Sequence, residues 1–158
     1  MNEKQKKLFI FISIFIIAAM CNLWTLRPVK ISHVYSDFNS SVFVVVDHLP
    51  WADRDKIEWF LSHREAFIKD YPLIDGIHHS YYIMDVGDGF TNNKESPKED
   101  LLCFSMGKDE HNCIVKNYPL VVNERPYENI HFQISSDWSV NEYELTPEGK
   151  IEESNAKT

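Results

Sequence analysis

Positions 2–7 are polar, and positions 8–26 then read LFIFISIFIIAAMCNLWTL without a single charge. At about 1.5 Å per helical residue the run reaches roughly 28 Å, close to the ~30 Å hydrocarbon thickness of a bilayer. Eleven of its residues are Leu, Ile or Phe, each favouring insertion by about 0.3 to 0.6 kcal/mol, which outweighs the modest cost of Ser13, Asn22 and Thr25. The pattern predicts a transmembrane helix over 8–26. Lys4, Lys6 and Lys7 precede it and Arg27 and Lys30 follow, so residues 1–7 are expected in the cytoplasm and the remainder in the periplasm. A cleaved signal would be shorter and end in a small-x-small site. Met20 stands just before Cys21, where a lipoprotein signal wants a small residue. Cys21 therefore reads as an apolar residue of an uncleaved signal anchor in the cell inner membrane.

Beyond the apolar run the period changes. Val29–Ser36 and Ser41–Asp47 are β-branched or aromatic runs separated by Asp37–Ser40, the pattern of a hairpin. From Asp53 to Asp70 the apolar residues Ile57, Phe60, Leu61, Phe67 and Ile68 fall at helical spacing, with Asp53 as the expected N-cap and Tyr71-Pro72 as the stop. Short strand-like runs follow at Ser80–Val86, Leu101–Met106, Cys113–Lys116 with Leu120–Val122, Ile130–Ser135 and Val140–Leu145. Short connections favour antiparallel pairing. The expected fold is α+β: after the transmembrane helix, a small antiparallel sheet with one long packed helix. The expected domain covers 27–149, with a frayed tail over 150–158.

Composition agrees with one ordered domain. Of 158 residues, 44% are hydrophobic and 13% aromatic, enough apolar surface to offset chain entropy. Residues 31–158 hold 11 basic and 23 acidic side chains, a net charge of −12. Such a surface disfavours nucleic acid and suits a basic protein partner, although solubility alone also accounts for it.

Cys103 and Cys113 flank the loop Ser105–Asn112, so their strands should lie side by side. In an oxidising compartment they are expected to form a disulfide closing a loop of about ten residues. The rivals are a metal pair and two buried thiols; His111 is near, but a metal needs further ligands at a recognised spacing. Asp85-Val86-Gly87-Asp88-Gly89 reads as a turn, since a calcium loop needs alternating ligands and a distal Glu. His78 and His79 are adjacent and, on a strand, point to opposite faces. The chain has no G-x-S-x-G, no H-E-x-x-H and only 5 Gly, so no phosphate cradle or nucleophile elbow is expected. Neither an enzymatic activity nor a cofactor is expected. Trp51 and Trp59, near the start of the helix, are candidate protein contacts, with core packing as the alternative for both.

Leu26-Arg27-Pro28-Val29, Leu49-Pro50-Trp51, Lys56–Phe60, Asp85–Phe90, Leu102-Cys103-Phe104 and Asn112-Cys113-Ile114, in this order and spacing, resemble the enterobacterial putative membrane proteins classed as a domain of unknown function. The resemblance spans nearly the whole chain. It implies a membrane protein of a Gram-negative bacterium and brings no catalytic residue with it. Two functions are expected on this basis. One is a periplasmic binding domain, such as an immunity protein against an antibacterial toxin; the other is a structural or accessory subunit of an envelope complex.

Overall fold

The computed structural model describes residues 2–25, 27–105 and 111–154; the side chains of residues 21, 22, 24 and 25 lie outside that description, and with them the reading of Cys21. So does the part of the Ser105–Asn112 loop at 106–110. Helix α1 (Glu3–Thr25) is followed by β1 (Ile31–Ser36), β2 (Ser41–Val46), α2 (Asp53–Asp70), β3 (His79–Asp85), β4 (Leu101–Cys103), β5 (Cys113–Val115), β6 (Leu120–Glu124), β7 (Ile130–Ser135), β8 (Val140–Leu145) and β9 (Ile151–Glu153).

No helix among the described residues is long and apolar enough to cross a membrane. This overturns the transmembrane helix expected over 8–26. Helix α1 opens on Glu3, Lys4, Lys6 and Lys7, and the uncharged run whose side chains are described, 8–20, covers only about 20 Å at 1.5 Å per residue. Its apolar side chains, Leu8 to Met20 with few exceptions, are exposed.

A second correction concerns the sheet, which is larger than expected and is not purely antiparallel. Seven strands run in the order β1-β2-β3-β6-β7-β8-β9, and β4 and β5 form a separate ribbon. Strands β2 and β3 pair in parallel, from Ser41↔Ser80 to Val46↔Asp85, while every other pair is antiparallel. The cause is α2, which returns the chain from the end of β2 to the end where β2 began, so the next strand must run the same way. Cys113–Lys116 and Leu120–Val122, expected together, are divided between ribbon and sheet as β5 and β6. The tail expected to fray from Lys150 instead supplies β9, paired as Tyr143↔Glu153 and Leu145↔Ile151; residues 155–158 lie outside the described residues.

Helix α2 has the expected bounds, and its apolar residues explain where it sits. Ile57, Phe60 and Phe67 recur at helical spacing and are buried against Val42, Val44, Val46, Tyr81, Ile83, Leu120, Val122, Phe132 and Ile134 of the sheet. Phe60 is central, with ring centroids 5.2 Å from Tyr81 and 6.3 Å from Phe132. On the opposite face of β2 and β3 the ribbon supplies Phe104 and Ile114 against Val45 and Met84. The cap differs from expectation: Ala52 holds the N-cap position and makes no side-chain cap bond. Asp53 instead begins the helix and reaches across to β8, its Oδ2 accepting from Asn141 Nδ2 at 2.9 Å and Tyr143 OH at 3.0 Å. The carboxylate is more useful as a tie between layers than as a cap.

Two carboxylates link the fold to pH. Burial pushes the Asp53 pKa up, but hydrogen bonds from Asn141, Lys56 and Tyr143 outweigh it and hold the group below its usual 3.8. In the β1–β2 turn Asp37 Oδ1 accepts from the backbone N–H groups of Asn39, Ser40 and Ser41 at 2.8 to 2.9 Å. Burial opposes, yet these donors lower its pKa too. A carboxylate lowered in the folded state stabilises it above the unfolded pKa and loses that contribution as pH falls through the folded value. Urea denaturation should therefore show stability steady above about pH 5 and falling below about pH 4. The Asp53→Asn and Asp37→Asn variants should each show a shallower acid decline. In the same assay Phe60→Ala should cost about 3 to 5 kcal/mol, and Trp138→Ala, on an exposed turn, within about 0.5 kcal/mol of nothing.

Candidate functional site

The end of the sheet where β2 and β3 finish gathers a cluster of polar side chains with specific partners. Asp47 follows β2, and its Oδ1 accepts from Lys30 N at 2.8 Å while its Oδ2 accepts from Arg27 Nη2 at 3.0 Å. His48 Nδ1 lies 2.8 Å from Asp47 Oδ1 and 3.1 Å from Arg27 Nη2, and its Nε2 lies 3.1 Å from the Arg27 carbonyl oxygen. Burial raises the Asp47 pKa, but the Lys30 N–H, His48 and Arg27 together hold it below 3.8. The segment joining α1 to β1 is thereby fastened to this end of the domain.

After β3 the chain turns through Asp85–Phe90. Asp85 Oδ1 accepts from Gly87 N at 2.8 Å, and Gly87 and Gly89 take φ of 53° and 103°, conformations that a side chain would oppose. The turn reading of this segment is thus accounted for by its own hydrogen bonds. Among the described residues no group of three or more His, Cys, Asp or Glu is placed to hold a metal ion. The turn does, however, border an acidic groove of about 480 Å³ lined by Asp85, Asp88, Glu95 and Glu99 together with Phe90 and Thr91. Glu95 and Glu99 come from the next loop, so no spacing within one motif could have announced the groove. Beside it, sharing Asp85, lies a smaller hollow of about 270 Å³ bounded by His48, Trp51, Lys56 and Pro119.

The cysteines are brought together. A disulfide joins Cys103 and Cys113 across the ribbon, in register as Cys103↔Cys113. Thr91 extends the ribbon through two backbone bonds with Cys113, at 2.7 and 3.0 Å. The two tryptophans part company. Trp51 is 82% exposed, whereas Trp59 packs against the main core and its ring lies 4.7 Å from that of His63 and 6.4 Å from that of Phe67. Trp138, at the tip of the β7–β8 turn, is 93% exposed. His78 and His79 do not converge: the first bonds to Asn123 and the second to the Ile74 carbonyl.

At the opposite end Arg64 forks onto Glu124, with Nε–Oε1 at 2.6 Å and Nη2–Oε2 at 2.9 Å. Burial beside this pair pushes the Tyr81 phenol up to about 12, with Glu124 adding to the shift and Arg64 opposing it. That phenol stays protonated near neutral pH. Asp37, Asp47 and Asp53 are held low and suit the role of structural acceptors, whereas a general base is most effective with a pKa near the working pH.

The family model described as enterobacterial putative membrane protein (domain of unknown function 943) matches residues 1–155, and the chain belongs to that family. No curated protein and no solved structure matches it.

The ribbon strands are only three residues each, so the disulfide should matter to them. Closing a loop with a separation of 10 residues is worth about 2.5 to 3 kcal/mol in the chain-entropy model. Cys103→Ala should lower stability by about 2 to 4 kcal/mol in urea denaturation. Intact-mass spectrometry of envelope-extracted protein should find the pair two protons lighter than after reduction; alkylatable thiols at both positions would contradict the bond.

Proposed function

We propose that this member of a membrane-protein family is a binding protein and not an enzyme, which works at the periplasmic surface of the inner membrane. Residues 8–26 contact lipid there, and the domain captures a basic protein partner in the manner of an immunity protein against an antibacterial toxin. The observation that carries the reading is the groove lined by Asp85, Asp88, Glu95 and Glu99, with residues 31–158 carrying a net charge of −12. A concave surface lined by one sign of charge concentrates field lines, speeds the encounter with an oppositely charged partner and repels like-charged ones. The disulfide suits an oxidising compartment. The apolar side chains exposed along α1 need a cover, and lipid supplies one.

Alkaline phosphatase fused after Thr158 should be active, and green fluorescent protein fused there dark. Cells expressing the full chain should survive challenge with a toxin encoded in the same locus, and Asp88→Lys/Glu99→Lys should lose that protection while the protein still accumulates. A version confined to the cytoplasm should not protect. Equal survival with and without the full chain would favour an accessory subunit of an envelope complex.

A further inference from the structure

The two most exposed tryptophans of the domain share one end of the sheet. Trp51 lies in the loop from β2 to α2, and Trp138 in the turn from β7 to β8; both loops sit where β2, β3 and β7 finish and where β1, β6 and β8 begin. The chain from α1 arrives at this same end. Arg27 is bound there through Asp47 and His48, and the six steps from Thr25 to Ile31 span about 20 Å at most. Whatever surface holds α1 is therefore within reach of Trp51 and Trp138.

Both rings are presented on tied loops. The Trp51 carbonyl accepts from Lys56 Nζ at 3.2 Å, and the same ammonium donates to Asp53 Oδ1 at 3.1 Å. The Trp138 turn is closed by Ser136 N donating to Ser139 O at 2.8 Å and by Ser139 N donating to Ser136 Oγ at 3.1 Å. Asp53 Oδ2, bonded to Asn141 and Tyr143, couples the start of α2 to the start of β8. Single exposed apolar residues are ordinary on a protein surface. Two rigidly held indoles on the end that receives an apolar helix are a different arrangement, because indole, apolar with one N–H donor, favours the headgroup level of a bilayer.

We infer that Trp51 and Trp138 seat the domain on the headgroup layer of the bilayer that α1 contacts, with the sheet end bearing both loops facing the lipid. The occupant is lipid and not the protein partner. On this end Asp47 is paired with Arg27 and His48 and Asp53 with Lys56, while Asp55, Asp85, Asp88 and Asp137 have no ion pair among the described residues. The seat therefore suits zwitterionic lipid, since residues 31–158, of net charge −12, would meet anionic lipid with repulsion. Tyr35, near the end of β1, and Phe38 and Tyr127, in the β1–β2 and β6–β7 turns, are also exposed but lie toward the far end and take no part. This inference rests on the lipid contact of α1 proposed above and assigns Trp51 to lipid in place of the protein contact expected from sequence.

The test uses the full chain in phosphatidylcholine vesicles with brominated acyl chains, which quench indoles at the interface. Trp59 stays in every variant, since it packs on the core, and the chain with Trp59 alone is the reference. Two further chains restore Trp51 or Trp138, a third carries Phe15→Trp on the exposed face of α1, and a fourth carries Tyr127→Trp. Emission above the reference should fall roughly twofold or more on bromination for Phe15→Trp, Trp51 and Trp138, and stay unchanged for Tyr127→Trp. Loss of quenching at Phe15→Trp would overturn the lipid contact of α1. Quenching at Phe15→Trp with none at Trp51 and Trp138, or equal quenching at Tyr127→Trp, would overturn the seating alone.

Discussion

Strands β2 and β3 are apolar on both faces, and the rest of the domain is arranged to cover them. Val42, Val44 and Val46 alternate with Phe43 and Val45 along β2, and Tyr81 and Ile83 with Tyr82 and Met84 along β3. Leaving either face in water would forgo about 1.5 to 3 kcal/mol for each large side chain. The first set meets α2, and the second meets the β4–β5 ribbon. Strands with two buried faces are typical of parallel pairs, whose crossover element brings its own cover. The β2–α2–β3 unit follows that logic inside an otherwise antiparallel sheet.

The ribbon is the weaker of the two covers. Its strands are three residues long, too short for independent stability, so it relies on the Cys103–Cys113 bond, the Thr91 bridge and the burial of Phe104 and Ile114. It reaches only part of the sheet. Farther along, the face that would continue beneath it carries Asn123, His131, Gln133, Glu142, Glu144 and Glu152 in register, residues that water can serve. Glu144 stands opposite Glu152, an arrangement that costs a little when charges face each other, and Asn129 Nδ2 relieves it by donating to Glu144 at 2.9 Å. The covered half of the sheet holds the fold, and the open half holds much of its negative charge.

Local features were legible in the sequence where one element's own pattern decides them. The bounds of α2 follow from Ile57, Phe60 and Phe67 with Tyr71-Pro72, and the first hairpin from Asp37–Ser40. Cys103 and Cys113 faced each other as soon as their loop was seen. Pairwise features were not legible. The parallel pairing of β2 and β3 depends on where α2 returns the chain, and the groove depends on two loops, Asp85–Phe90 and 92–99, meeting in space. Asp53 looked like a cap because Asp favours that position, but its partners Asn141 and Tyr143 lie 88 and 90 residues away. The family description as a membrane protein agrees with an apolar N-terminus. The uncharged run whose side chains are described, 8–20, is shorter than a bilayer's width, because α1 opens on the charged residues Glu3, Lys4, Lys6 and Lys7.

The longest run of exposed apolar side chains lies on α1, and Trp51 and Trp138 are exposed at the end of the sheet that α1 joins, while Phe38 and Tyr127 are exposed at the other end. Net negative charge lies on the domain. A carboxylate near lipid would resist approach unless paired, since desolvating an unpaired charge is costly. Asp47, beside the α1–β1 segment, contacts Arg27 and His48, and Asp53, at the start of α2, contacts Lys56, all at 2.8 to 3.1 Å, whereas Asp55 in the same first turn has no ion pair among the described residues. Asp85, Asp88, Glu95 and Glu99, which line the groove, have one basic side chain in contact among the described residues, the His111 imidazole 2.8 Å from Glu95. Pairing is thus concentrated at the α1–β1 joint and sparse in the groove, although both lie at the end of the sheet where β2 and β3 finish.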